Sequence, residues 1–193
     1  RRGVKLRRIC FITNKYPNPI EPNVLVFVQQ LVWYIADQGA KCTVICPMPI
    51  NINPKYMRFP FKSTEKTENG STIDIYLPKY IGLGQGDLFG FNPARITTNS
   101  FTSAVDKAVR RMPKKPDIVY GHFVTPAGIA AARIGRRFNI PAFMAHGEAT
   151  LKTIRHFGYK NVAKELSSLS GVIAVSKHNK ELLVSANAVK EDM

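Results

Sequence analysis

The fold of this chain is decided by residues 116–147, PDIVYGHFVTPAGIAAARIGRRFNIPAFMAHG. This stretch begins and ends with apolar runs, and the segment between them has basic residues at helical spacing. Short apolar runs joined by a helix are typical of parallel strands that are buried on both faces. Residues 116–122 and 140–147 are therefore predicted to be neighbouring parallel strands.

The same alternation continues in both directions along the chain. Four further strands are predicted at residues 6–13, 41–47, 71–77 and 171–176. A helix is predicted from about Val24 to Gln38, because apolar residues recur there on one helical face and Gly39 is a stop signal. A second helix is predicted to end near Met112. These elements predict an α/β fold with a Rossmann-like parallel sheet sandwiched by helices.

Length and chain ends suggest how the protein is organised. The 193 residues, 45% of them hydrophobic, suffice for one core, so residues 1–193 are predicted to be a single Rossmann-like domain. A parallel α/β domain that stops soon after a strand and a helix beginning at Ser176 is typical of one half of a two-domain enzyme. We therefore expect a second domain outside this chain.

The formal net charge of +15 predicts attraction to an anionic partner. Basic residues are grouped at the N-terminus, at 110–115 and at 133–137. Sequence signatures of nucleic-acid-binding folds are missing, so an anionic membrane leaflet is favoured over nucleic acid. A merely solvated basic surface remains open. No apolar run approaches the roughly 18 residues of a membrane span, which predicts a cytoplasmic protein.

Two sequence patterns resemble a dinucleotide site and a paired-cysteine site, but their residues have the wrong spacing. The glycines at 82, 84 and 86 neither follow the first strand nor match the dinucleotide fingerprint. Cys42 and Cys46 would lie roughly 13 Å apart along a strand, too far to share a disulfide or a zinc ion. We therefore predict buried free thiols, and no metal site.

Candidate site residues follow the predicted strands. In the common strand order 3-2-1-4-5-6, ligands bind where the order reverses, between the first and fourth strands. We expect convergence there of Asn14, Lys15, His122, His146, Gly147 and Glu148. A lone histidine is usually structural, and this alternative stays open for both. Ser176 either caps the next helix or helps to hold a phosphate oxygen.

Four segments together resemble the N-terminal half of a retaining glycosyltransferase of family 4, which has the GT-B fold. They are TNKYPNP (13–19), PDIVYGHFVTPAG (116–128), IPAFMAHGE (140–148) and GVIAVSKHNKELL (171–183). The resemblance implies an acceptor-binding domain that faces a donor-binding domain, a nucleotide-sugar donor and no obligatory metal. It also implies that His146 hydrogen-bonds the transferring sugar or its acceptor and supports the developing oxocarbenium charge.

The chain departs from the family pattern at two places. Many members have a glycine-rich turn after the first strand, where this chain has Glu21, Pro22, Asn23 and Val24. Asn23 is expected to cap the following helix and to contact substrate. Members often have His-Gly-Ser-Asp where this chain has residues 146–149, His-Gly-Glu-Ala. The role of that carboxylate in ordering a sugar hydroxyl therefore carries over only weakly to Glu148, which is expected to bind substrate.

From these observations we expect the acceptor-side domain of a retaining hexosyltransferase in polysaccharide biosynthesis. Its donor would be a UDP- or GDP-sugar, and its acceptor a lipid-linked or polysaccharide glycan at the inner face of the cell membrane. This domain alone should be inactive. The alternatives are a non-catalytic basic module that binds membrane or nucleic acid, and a GT-B sugar-nucleotide epimerase.

Overall fold

A computed structural model describes residues 7–84, 93–148, 151–190 and 192–193. Within these ranges the strands are β1 (Arg8–Ile12), β2 (Lys41–Ile45), β3 (Met48–Pro49), β4 (Lys62–Lys66), β5 (Thr72–Tyr76), β6 (Lys79–Tyr80), β7 (Ile118–His122), β8 (Ala142–His146) and β9 (Gly171–Ala174). The α-helices are α1 (Val26–Asp37), α2 (Pro93–Arg111), α3 (Ile129–Phe138), α4 (Lys152–Phe157), α5 (Tyr159–Leu166) and α6 (Lys177–Ser185). A 3-10 helix covers Pro54–Arg58, and a π-helical turn covers Val124–Gly128. Of the glycine pattern at 82, 84 and 86, Gly86 lies outside the described residues.

Seven strands form one sheet in the order β4-β5-β2-β1-β7-β8-β9. All neighbours pair in parallel except β4, which runs antiparallel to β5. The six predicted strands correspond to β1, β2, β5, β7, β8 and β9, and their order confirms the predicted Rossmann-like arrangement. The strand order therefore reverses between β1 and β7, as the sequence predicted.

Helices cover the two faces of the sheet unequally. On one face, α1 packs Val28 and Val32 onto Phe11 and Val44. On the other face, α2, α3 and α5 pack onto Cys10, Ile12, Val119 and Met144. Right-handed crossovers explain this division, because the chain moves from β1 to β2 in one direction and from β7 to β9 in the other.

One consequence is an apolar groove beside α1, above β7, β8 and β9. Its volume is about 820 Å³, and Tyr120 and Phe143 are among the residues that line it. Phe27, Ile173 and Val175 at this groove are 53%, 52% and 62% exposed. No helix among the described residues covers this part of the sheet, although strands of parallel sheets are usually buried on both faces.

The start of α1 differs from the prediction. The helix begins at Val26 instead of near Val24, because Leu25 adopts a left-handed conformation with φ 45° and turns the chain into the helix. No side chain caps this helix, so the prediction that Asn23 caps it is wrong. Asn23 is exposed and lies in the turn that precedes α1.

Strand β4 was not predicted from the sequence. Its residues, KSTEK, alternate between exposed and half-buried positions, as expected at a sheet edge with one solvated face. Glu65 on this strand accepts hydrogen bonds from Tyr16 Oη, from Trp33 Nε1 at 2.9 Å and from Gln29 Nε2 at 3.1 Å. This carboxylate therefore ties the edge strand to α1 and to the loop that follows β1.

Candidate functional site

The site begins where β1 and β7 lie side by side at the point of strand reversal. Ile12 pairs with Gly121, and the loops that follow both strands meet beyond this pair. Asn14 Nδ2 donates a hydrogen bond of 3.2 Å to the carbonyl oxygen of Thr125. Gly121 allows the backbone of Ala127 to pack closely against β7, because a Cβ atom at position 121 would lie 2.7 Å from Ala127 O.

The segment after β7 turns sharply. Phe123 adopts φ 70° and ψ 164°, a region that residues other than glycine rarely occupy and that costs about 1–3 kcal/mol. Thr125, two residues later, is only 3% exposed. Strained backbone of this kind persists where the surrounding structure enforces it, and here it places the Thr125 carbonyl and hydroxyl at the edge of the sheet.

His146 is the last residue of β8 and its side chain is 0% exposed. Its Nδ1 atom lies 3.7 Å from Glu148 Oε2. His146 therefore does not face an open cleft. Met144, its neighbour on the same face of the strand, belongs to the core beneath α2 and α3, and the alternation of a strand carries His146 to that side.

His122, by contrast, faces the apolar groove on the α1 side. It pairs in register with Ala145, whose side chain shares that face, whereas His146 points the other way. The two histidines therefore do not converge, contrary to the sequence prediction. Tyr120 Oη lies 3.0 Å from His122 Nδ1, and burial lowers the pKa of His122 to about 4 against the opposing effect of Glu148.

Several buried polar atoms at this edge of the sheet have no hydrogen-bond partner among the described residues. They are Asn14 Oδ1, Thr125 Oγ1, both ring nitrogens of His146 and Glu148 Oε2. A buried polar group left unpaired costs about 1–3 kcal/mol, so such groups are rare and need an explanation. Their clustering on the loops after β1, β7 and β8 marks this edge as the candidate site.

Ser176 caps α6, as one of the two alternatives predicted. Its hydroxyl oxygen accepts a hydrogen bond of 3.1 Å from Asn179 N and lies 2.7 Å from Asn179 Oδ1. Asn179 in turn donates from Nδ2 to the carbonyl oxygen of Glu148 at 2.9 Å. The sequence did not point to Asn179, because the capping-box pattern that begins with Ser has Glu or Gln three residues later, where this chain has Asn. Asn179 fixes the backbone next to His146.

A separate cavity of about 470 Å³ opens beside Asn14 and Lys15. Lys15 Nζ lies 2.6 Å from Glu21 Oε1, and Tyr56 Oη donates to Glu21 Oε2. These hydrogen bonds lower the pKa of Glu21, that from Lys15 having the largest effect. In the sequence, Glu21 stands out only as a departure from the family pattern, and no local signal points to Tyr56, which lies 35 positions further along the chain.

Gly147 is exposed and lines the apolar groove beside Val175.

In the ranges that the structure describes, no cluster of His, Cys, Asp and Glu side chains is arranged to hold a metal ion. None of the helices described is both long enough and apolar enough to cross a membrane.

Comparison with known proteins gives a family match over most of the chain. The family model for Glycosyltransferase Family 4 matches residues 24–192. TuaC of Bacillus subtilis (strain 168), named as a glycosyltransferase of teichuronic acid biosynthesis, is 28% identical over 176 residues. The match covers 88% of this chain but 44% of TuaC, so the chain spans less than half the length of that relative.

Two solved structures illustrate the shared fold. The UDP-GlcNAc 2-epimerase from Methanocaldococcus jannaschii has a TM-score of 0.50 and 13% identity, over 94% of this chain and 44% of its own. Arabidopsis thaliana UGT89C1 in complex with UDP-L-rhamnose has a TM-score of 0.52 and 11% identity, over 96% and 51%. At these identities the likeness extends to the fold alone, that of a Rossmann-like half of a GT-B structure. The family match over residues 24–192 goes further, and on it the chain belongs to Glycosyltransferase Family 4.

Proposed function

We propose that this chain is the acceptor-side domain of a retaining glycosyltransferase. The longer protein would transfer a sugar, of the hexosyl type, from a UDP- or GDP-sugar to a lipid-linked or polysaccharide acceptor. The name of TuaC supports a role in polysaccharide biosynthesis. No cofactor is obligatory in this proposal, so chelation of divalent metal should leave turnover unchanged.

The observation that carries this proposal is the row of unpartnered polar atoms at the point of strand reversal. Asn14 Oδ1 and Glu148 Oε2 are hydrogen-bond acceptors, whereas Thr125 Oγ1 and the His146 ring can donate as well as accept. Sugar hydroxyls both donate and accept hydrogen bonds, so they suit a mixed set of donors and acceptors of this kind. Groups fixed by the fold before substrate binds need little reorganisation, and such preorganised groups stabilise charge that develops during transfer.

The test substitutes His146 in the longer protein and measures sugar transfer. We expect His146→Ala to lower turnover by about 100-fold or more, roughly the loss on removing one preorganised donor. Glu148→Gln should cause a smaller loss, concentrated in the Michaelis constant. His178→Ala is the matched control, because His178 is exposed on α6 and should leave turnover unchanged.

Two results would contradict the proposal. Full activity of His146→Ala together with a lower melting temperature would make His146 a structural histidine only. Sugar transfer by residues 1–193 alone would contradict the two-domain assignment, because we place the contacts to the donor diphosphate in the other domain, and catalysis requires both sides positioned together.

A further inference from the structure

We propose that the cavity beside Lys15 and Glu21 is an acceptor subsite that selects an uncharged sugar unit. We call it the Glu21 pocket. Its lining includes Asn14, Lys15, Glu21, Asn53, Tyr56 and Tyr80. The assignment rests on the proposed function, since it names the chemistry of the acceptor unit that the transferase would hold.

The position of the pocket suits an acceptor. Asn14 and Pro126 form part of its wall. Asn14 also contacts Thr125, whose unpartnered hydroxyl belongs to the candidate site. A ligand in the Glu21 pocket would therefore lie next to the proposed transfer site. The volume of about 470 Å³ is within the range of about 300–1,000 Å³ that is usual for small-molecule sites.

The charges in the pocket argue against a phosphate or carboxylate ligand. Among the described residues of the lining, Lys15 is the cation and Glu21 the anion, and their contact of 2.6 Å makes the pair neutral. Tyr56 donates its hydroxyl hydrogen to the same carboxylate. An anionic ligand would meet the Glu21 carboxylate beside an ammonium group whose charge that carboxylate already offsets, and like charges brought together oppose binding.

The remaining groups suit a neutral ligand with many hydroxyls. Each Glu21 oxygen already accepts one hydrogen bond and retains a further lone pair for a sugar hydroxyl. Asn14 Oδ1 is buried and has no partner among the described residues, so it also accepts. The half-buried ring of Tyr80 in the wall offers an aromatic surface for the apolar C–H groups of a sugar.

The test uses residues 1–193 and a pair of probes that differ by one carboxylate, methyl glucoside and methyl glucuronide. Each is titrated to about 0.1 M, because single sugars bind weakly, while backbone amide signals are followed by NMR. We expect methyl glucoside to shift the signals of Asn14, Lys15, Asn53 and Gly82. Methyl glucuronide should bind at least about tenfold more weakly, and UDP should leave these signals in place.

Substitution of Glu21 should reverse this preference. Glu21→Gln removes the negative charge and frees Lys15, so methyl glucuronide should then bind at least as tightly as methyl glucoside. Glu68→Gln is the matched control, because Glu68 is exposed near the turn between β4 and β5 and its loss changes the net charge equally. This control should keep the wild-type preference.

Three outcomes would overturn the assignment. They are an absence of shifts with methyl glucoside, a wild-type preference for methyl glucuronide or UDP, and an identical preference in the wild type and Glu21→Gln. If the longer protein transfers sugar while any of these results holds, the Glu21 pocket is wrongly assigned and the proposed function stands. If Glu21→Gln does not fold, Lys15→Met tests the assignment of the Glu21 pocket instead. This substitution should weaken the binding of methyl glucuronide further, and unchanged binding would overturn the assignment.

Discussion

Phe123 combines an aromatic contact with a strained backbone at the edge of the candidate site. Its ring packs against His122 with centroids 4.4 Å apart, while φ is 70° and ψ is 164°. A substitution that removes the ring therefore lowers stability, whereas a substitution that relieves the backbone strain at position 123 restores some of that stability. The two effects can be separated, because alanine lacks only the ring and glycine lacks both the ring and the conformational restriction.

We expect Phe123→Gly to be more stable than Phe123→Ala by about 1–2 kcal/mol. Urea unfolding of residues 1–193 measures this difference. It is the reverse of the usual order, in which alanine is the more stable of the two in regular structure. An alanine variant as stable as the glycine variant would mean that the backbone at Phe123 is not strained.

His122 should make folding stability depend on pH. Burial lowers its pKa from 6.5 to about 4 in the folded protein. Between these values the unfolded chain binds more protons, so stability falls as the pH drops, by up to about 1.4 kcal/mol per pH unit. His122→Asn should flatten the stability profile between pH 6.5 and 5, as measured by urea unfolding. His178→Asn, at an exposed position, should keep the wild-type slope.

At the scale of elements, two polar residues were predicted to cap helices and one does so. We expect Ser176→Ala to destabilise the protein by about 1 kcal/mol, because α6 loses its capping acceptor. Asn23→Ala should change stability by less than about 0.5 kcal/mol, since Asn23 is exposed and caps nothing. Thermal unfolding of both variants gives the comparison. A loss for Asn23→Ala as large as for Ser176→Ala would contradict this assignment.

Strands built from apolar runs could be predicted from the sequence, whereas the polar edge strand β4 could not. Strands β1, β7 and β8 are apolar runs buried in the sheet, which is why their order and pairing were predictable. Strand β4 has an alternating polar sequence at an edge, and the start of α1 depends on the conformation of Leu25. Neither feature leaves a hydrophobic signal.

The candidate site was predictable only in outline. Strand ends located Asn14, Lys15, His122 and His146 along one edge of the sheet. In the register of β7 and β8, His122 pairs with Ala145, so His146 lies one residue further along. Successive residues of a strand point to opposite faces, and the two histidines therefore lie on opposite faces of the sheet. The contact of Tyr56 with Glu21 joins residues 35 positions apart in the chain, and Tyr56 lies in the 3-10 helix Pro54–Arg58. No local pattern encodes a contact of that range.

For the whole molecule, the excess of 28 basic over 13 acidic residues leaves a net charge that internal pairs cannot cancel. We expect residues 1–193 to float with phosphatidylserine vesicles at low salt and to dissociate as ionic strength rises, because salt screens exposed charges over about 8–10 Å. Phosphatidylcholine vesicles are the control. Equal binding to both would remove the electrostatic basis for placing the protein at the inner membrane face, and tighter binding to RNA would favour the alternative of a nucleic-acid module.

The three free cysteines lie on both sides of the sheet and can report how the domain opens. Cys10 belongs to the core beneath α2 and α3, whereas Cys42 and Cys46 belong to the core beneath α1. Burial raises the pKa of each thiol to about 12, so a thiol reagent reacts only after local or global unfolding. If the two layers open together, all three thiols should be labelled at one rate. If the partly uncovered α1 side opens first, Cys42 and Cys46 should react before Cys10.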